Sequence, residues 1–214
     1  DYEGSYRIFD SLFKKYKPIN MPVLFEYNSY LATCVMTGHI ENFDDKVRKA
    51  FLEFGSIGIN SSDYQKLMDT ILKTSKITNN EIKELKNKYY QNLNFELIAK
   101  IDTLVREDQS ARGNFYSKEK IRFYLNKHIN DINLIFEKYG YPSDKLVGTD
   151  LYFEENNIKR YSSFDILLVH QAEVYNIIQD LLTKILFYVK KGECDPSVYA
   201  KIYDKYIWNI QDKQ

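Results

Sequence analysis

The chain has 214 residues, with thirty lysines and arginines against thirty aspartates and glutamates, so its formal net charge is zero. A protein that neutralises many phosphates usually carries a basic surplus, so this balance argues against nucleic acid and anionic membranes as partners. No apolar run reaches the ~20 residues that a transmembrane helix needs. An aromatic share of 15% is typical of a chain that folds.

Two features bear on the cellular compartment. Cys34 and Cys194 lie far apart without a tight spacing, which favours two free, buried thiols, although an oxidising compartment would allow them to pair. The sequence begins DYEGSY, without an initiator methionine or a signal sequence. An exported protein with its leader removed and a trimmed cytoplasmic chain both fit this start, and we favour export.

The first part of the chain has helical periodicity, interrupted by prolines, glycines and a capping box. Four helices are predicted there: from about Ser5 to Lys17, from Pro22 to near Gly38, from about Phe43 to Phe54, and from Ser62 onward. The region resembles one degenerate helix-turn-helix unit of the tetratricopeptide type, on the pattern Tyr30, Ala32, Cys34, Gly38, Ala50, Phe51 and Gly55. An ordinary pair of packed helices explains the same pattern.

A boundary is predicted at residues 77–78, between a tetratricopeptide-like helical region (1–77) and a helical bundle domain (78–214). Thr78-Asn79-Asn80-Glu81 has the form of a capping box and opens a helical region that closes at Gly113, with 92–94 as the place for an interruption. Further helices are predicted from Ser117 to Gly140, from about Ser163 to Lys191, and from Pro196. The segment 140–150 is the clear non-helical connection. The predicted fold class is therefore all-α.

An acid and a base continue the apolar stripe of the helix that ends at Gly113. Steps of three and four carry the stripe from Ile101 and Val105 to Asp108 and then Arg112. One interpretation is an exposed ion pair at a fraying helix end, which contributes little to stability. The other is a partly buried pair, in which either charge alone would be costly.

Two histidines also lie on apolar stripes, where a hydrogen-bonded core histidine is the common finding. His128 precedes Asp131 by three residues, and His170 precedes Glu173 by three, as in half of a metal site in a helical bundle. Acids are so frequent in this chain that such neighbours are expected by chance, so we predict no metal site. We find no nucleophile elbow and no glycine-rich phosphate loop, and we predict no cofactor.

From residue 105 onward, the order of motifs is similar to that of a bacterial domain family of unknown function. That family is marked by Asp-Gln-x-x-Arg, Gly-Trp-Pro, Val-Gly, a histidine on a helix and a late Asp-Arg, and some members carry tetratricopeptide-like helices upstream. The matching positions here are Asp108-Gln109-x-x-Arg112, Gly140-Tyr141-Pro142, Val147-Gly148, His170, Gly192-Glu193, Pro196, Ala200 and Asp204. The chain departs at Tyr141, where tryptophan is common, at Lys205, where arginine follows the late acid, and at its ending WNIQDKQ.

Three functions fit these observations, and the sequence leaves open whether the protein is an enzyme. The first, which the absence of specific catalytic motifs favours, is a binding or protein-interaction module with an inward-facing polar cluster, whose partner is a protein or a small anionic ligand. The second is a hydrolase-like enzyme with Asp108, Gln109, Arg112 and His170 in one pocket. In this enzyme His170 is the general base, Asp108 orients it and Arg112 binds an anionic group. The third is a cluster that only fixes helix register. Secondary candidates for the polar site are His128, Asp131, Glu173 and Asp204.

Overall fold

The computed structural model describes residues 1–16, 21–57, 62–113, 117–149 and 164–211. These residues form eleven helices and no strands, so the predicted all-α class is confirmed. The helices are α1 Tyr2–Lys15, α2 Met21–Thr37, α3 Phe43–Phe54, α4 Ser62–Thr74, α5 Asn79–Gln91, α6 Phe95–Arg112, α7 Lys118–Tyr139, α8 Asp144–Val147, α9 Phe164–Gln171, α10 Tyr175–Lys190 and α11 Pro196–Gln211. Among the described residues, no helix combines the length and the apolar character needed to cross a bilayer.

Side-chain caps begin three consecutive helices in the middle of the chain, α5, α6 and α7. Thr78 accepts a hydrogen bond from the backbone N–H of Glu81, and Ser117 accepts one from the N–H of Lys120, both at 3.2 Å. Asn94 accepts one from the N–H of Leu97 at 2.9 Å, which separates α6 from α5 at the predicted interruption. These bonds satisfy donors that a helix start leaves without partners inside the helix.

The chain divides into two compact units. Unit 1 comprises Asp1–Leu93 and Asp144–Lys159, and unit 2 comprises Asn94–Ser143 and Arg160–Gln214. This division differs from the predicted boundary at 77–78, because α5 packs on α3 inside unit 1. Arg48 of α3 is bound to Glu81 of α5 at 2.5 Å, and the buried Tyr89 of α5 donates to the backbone oxygen of Asp144. The capping box at Thr78 marks a new helix and not a new unit.

Unit 1 has an aromatic-rich core between α2, α3 and their neighbours. Its fully buried members include Tyr27, Leu31, Val47, Phe54 and Ile71. Tyr30, Cys34, Ala50 and Phe51, which suggested a tetratricopeptide-like pair, are buried as well. Burial of these positions is common to any packed helix pair, so the repeat-like interpretation stays a prediction.

Unit 2 surrounds α9 with α6, α7, α10 and α11. Ile101 of α6, Leu167 and Leu168 of α9, and Ile202 of α11 are at most 1% exposed and form its apolar interior. Cys194 of unit 2, like Cys34 of unit 1, is a buried free thiol. This packing fixes α9, the helix that carries His170.

The prediction of a single long helix from Ser163 to Lys191 is wrong, because a turn separates α9 from α10. The N–H groups of Glu173 and Val174 bond to carbonyls three residues back, each at 3.0 Å, and Val174 is extended (φ −102°, ψ 99°). The predicted start at Ser163 lies outside the described residues. The break places Glu173 in a turn, from which its side chain reaches α6 and α11.

Two other predicted bounds also shift. The first helix begins at Tyr2 and not near Ser5, because the Asp1 carboxylate accepts from the N–H of Gly4 at 3.0 Å and caps it. Its described part ends at Lys15. The connection predicted as non-helical contains the single helical turn α8.

Candidate functional site

Asp108 is the buried centre of a polar cluster in unit 2. Its carboxylate is 3% exposed and accepts three hydrogen bonds, from His170 Nδ1 at 2.6 Å, Arg112 Nε at 3.1 Å and Gln109 Nε2 at 3.1 Å. Burial acts to raise the pKa of Asp108, but the hydrogen bond and charge of His170 and the charge of Arg112 outweigh it, so the pKa is lowered. Asp108 therefore stands as a carboxylate, and its bond to His170 places a proton on Nδ1.

Arg112 joins this carboxylate to a second one. Its Nη1 and Nη2 bind Glu173 Oε1 at 2.9 Å and Oε2 at 3.1 Å, and Glu173 Oε1 also accepts from Lys205 Nζ at 3.1 Å. Three of the roughly five N–H donors of the guanidinium are thus engaged by acids of the chain itself. The two carboxylates balance the two cations, so the cluster with a neutral imidazole carries no net charge. The role first assigned to Arg112, binding an anionic group, receives no support from this pairing.

One ring nitrogen of His170 has no described hydrogen-bond partner. Its side chain is 15% exposed, and Nε2 makes no hydrogen bond within the described ranges. A carboxylate that accepts from Nδ1 fixes the ring orientation, and in the neutral ring the lone pair then lies on Nε2. This geometry suits a general base and equally suits a hydrogen-bond acceptor for a bound molecule.

The Gly140-Tyr141-Pro142 turn contacts the first turn of α9, the helix that carries His170 near its other end. Tyr141 is buried, and its hydroxyl donates to Asp165 in the first turn of α9. At the far end of α9, Gln171 Nε2 donates to the backbone oxygen of Leu125 in α7 at 3.2 Å. With the Asp108 bond, these contacts hold α9 at both ends, which fixes the position of His170.

His128 lies apart from the cluster, in a second acid–histidine pair. Its ring is fully buried, and Nε2 lies 2.8 Å from Glu107 Oε2. Lys127 binds the same carboxylate at 2.7 Å. Glu107 was not among the predicted site residues. The adjacent acids Glu107 and Asp108 were the feature that could have indicated it. Consecutive helical residues point about 100° apart and can therefore reach different neighbouring helices.

The other secondary candidates divide between the cluster and the surface. Glu173 belongs to the cluster, as does Lys205, which the sequence marked only as a departure from the family pattern. Asp131 is bound instead to Lys100 at 2.7 Å, and Asp204 lies exposed on α11. Within the described part of the chain, no group of three or more histidine, cysteine or acidic side chains is arranged to hold a metal ion.

Comparison with known proteins gives no match to a family model, to a curated protein or to a solved structure. The case for a functional site therefore depends on the geometry of the cluster.

Proposed function

We propose that the protein is a hydrolase-like enzyme in which His170 is the general base and Asp108 is the residue that positions it. The observation that carries the proposal is the 2.6 Å bond between Nδ1 and a buried carboxylate, with Nε2 left without a hydrogen bond among the described residues. A positioned base of this kind typically contributes about 10²–10⁴-fold to a rate. Gln109 and Arg112 hold the carboxylate in place, and the charge of Arg112 also favours its ionised form.

The charge of the cluster supports an uncharged acyl compound as substrate. Arg112 and Lys205 are both matched by carboxylates, so the cluster offers no unbalanced cation to an anionic group. In the proposed reaction, Nε2 takes a proton from water as the water oxygen attacks the acyl carbon. The imidazolium then returns the proton to the leaving oxygen or nitrogen, which restores the neutral ring.

The test is hydrolysis of neutral ester and amide probes, such as p-nitrophenyl acetate and an N-acyl aminocoumarin, by the full chain. We expect His170→Gln and Asp108→Asn each to lower kcat/KM by about 10²-fold or more, whereas His39→Gln in unit 1 leaves it unchanged. Long-range ¹H–¹⁵N spectra should place the proton of His170 on Nδ1. Equal rates for His170→Gln and the parent chain, or a proton on Nε2 alone, would refute the general-base assignment.

A binding module is the second candidate, and the pairing of Arg112 favours it. Arg112 links α6 to the turn before α10, and Lys205 links the same turn to α11, as a cluster that fixes helix positions would require. In this case, Arg112→Met lowers stability while the affinity for any partner stays the same. A His170→Gln variant that keeps the parent rates, combined with such a loss of stability, would favour the module over the enzyme.

A further inference from the structure

A groove in unit 1 lies between α1 and α4, with α2 as its floor. Both α1 and α4 pack on α2, and the space between them has a volume of about 410 Å³. Sites for small organic ligands commonly measure about 300–1,000 Å³ and have mostly apolar walls. The groove has the size of such a site. Its lining consists of Tyr2, Ser5, Phe9, Asn28, Ser29, Ala32, Thr33, Ile57, Leu67, Met68 and Ile71.

The walls of the groove offer apolar surface that a ligand can reach. Tyr2 is 59% exposed, and Phe9, Leu67 and Met68 are only partly buried against the core of unit 1. Ala32 of α2 is also partly buried, so the floor carries a small side chain between the two walls. An apolar group that covers these side chains removes their surface from water, which favours binding.

The lining of the groove contains no charged side chain among the described residues. Charged residues make up 28% of the chain, so eleven positions of average composition would include about three of them. An ion that entered the groove would lose part of its hydration without gaining an opposite charge, which is costly. The lining therefore favours an uncharged ligand.

Two hydroxyl groups of the lining can accept a hydrogen bond. Ser5 Oγ donates to the backbone oxygen of Asp1 at 3.1 Å, and Thr33 Oγ1 donates to that of Tyr30 at 2.8 Å. Because the backbone already binds each hydroxyl proton, the oxygen is left as an acceptor. Such acceptors fit a ligand that donates a hydrogen bond, as an alcohol does.

We propose that this groove binds a small uncharged amphiphile, an apolar chain with a single hydroxyl group. Tyr2 and Phe9 lie seven residues apart on α1, roughly 10 Å along the helix axis, which is close to the extended length of an octyl chain. The chain packs against Phe9, Leu67 and Met68, and the hydroxyl group donates to Ser5. The proposal concerns unit 1 alone and does not depend on the proposed hydrolase function.

The test is an NMR titration of the full chain, labelled with ¹³C in its methionine methyl groups, with 1-octanol, octanoate and octylammonium. These probes share the octyl chain and differ in charge. We expect 1-octanol to shift the Met68 signal and to bind about tenfold more tightly than either ion. Met36, which is 52% exposed and lies outside the lining, should not shift. No shift at Met68, or an ion that binds as tightly as the alcohol, would overturn the proposal.

The variants are Ala32→Leu, which fills the groove from its floor, and Ala99→Leu, a matched control at an exposed position of α6 in unit 2. We expect the first to weaken the binding of 1-octanol about tenfold or more and the control to leave it unchanged. Ser29→Leu, at an exposed position of the same lining, serves as the variant if Ala32→Leu lowers the melting temperature. Parent affinity in a folded groove variant, or an equal loss in the control, would contradict the assignment.

Discussion

Replacement of Arg112 by Met measures how much the polar cluster contributes to stability. Methionine keeps much of the side-chain volume and removes the charge. Asp108, 3% exposed, then loses one charged hydrogen bond, which typically contributes about 1.5–3 kcal/mol. Glu173 is 33% exposed and keeps its ion pair with Lys205, so the loss of the Arg112–Glu173 ion pair adds less than about 1 kcal/mol. Because Asp108 keeps its hydrogen bonds to His170 and Gln109, we expect a destabilisation of about 2 kcal/mol.

The matched control is Arg48→Met in unit 1. Arg48 also bridges two acids, but its side chain is 37% exposed and its partners Asp45 and Glu81 are 73% and 34% exposed. Exposed pairs of this kind contribute about 0–1 kcal/mol. In urea denaturation followed by circular dichroism, Arg112→Met should lower the midpoint by about 1 M, and Arg48→Met by clearly less. Equal shifts would show that burial does not decide the strength of these networks, and the reasoning on Asp108 would fail.

Three further perturbations test the surroundings of the site. The pKa of Asp108 is lowered on folding, so its contribution to stability is present above the ordinary value near 3.8 and is lost as the pH falls through the lowered pKa. The difference in unfolding free energy between the parent chain and Asp108→Asn should therefore shrink in acid denaturation series below pH 4. Gly140→Ala should cost about 1 kcal/mol or more in thermal melts, because Gly140 has φ +75°, whereas Gly113→Ala, at φ −74°, should cost less. Burial raises the pKa of Cys34 to about 11 and that of Cys194 to about 12, so both thiols should react with Ellman's reagent at pH 8 only after unfolding, and fast reaction of the native chain would contradict this.

The sequence predicted which residues of a helix face inward, but it did not predict where the helix of His170 ends. The register of α6 predicted that Asp108 faces inward, because three- and four-residue steps follow directly from helix geometry. The apolar stripe through Leu167, His170 and Ile178 continued in step across the break at 172–174, so periodicity alone indicated one helix. The break is visible only in the backbone bonds of Glu173 and Val174.

Periodicity along one helix does not predict which side chains of other helices the site residues contact. His170 lies 62 residues from Asp108 along the chain, and no helical pattern states which neighbouring helix an inward-facing acid will meet. The resemblance to a domain family grouped Asp108, Arg112 and His170 by order along the chain, without a contact between them. Lys205 entered as a departure from that pattern, and only the fold brings it to Glu173.

The contrast between the two acid–histidine pairs of α6 separates a structural role from a functional one. Glu107 and Asp108 are adjacent, and each holds a histidine from another helix at 2.8 and 2.6 Å. The ring of His128 is fully buried, and its Nδ1 makes no hydrogen bond in the described structure, so that nitrogen lies inside the core. The ring of His170 is 15% exposed, with a carboxylate on Nδ1 and no hydrogen bond to Nε2 within the described ranges. A pair that only holds helices together does not need a partly exposed ring, because the His128 ring makes such a contact while fully buried. The partial exposure of the His170 ring, with Nε2 lacking a described hydrogen bond, is therefore the feature that the general-base proposal explains and that a purely structural role does not.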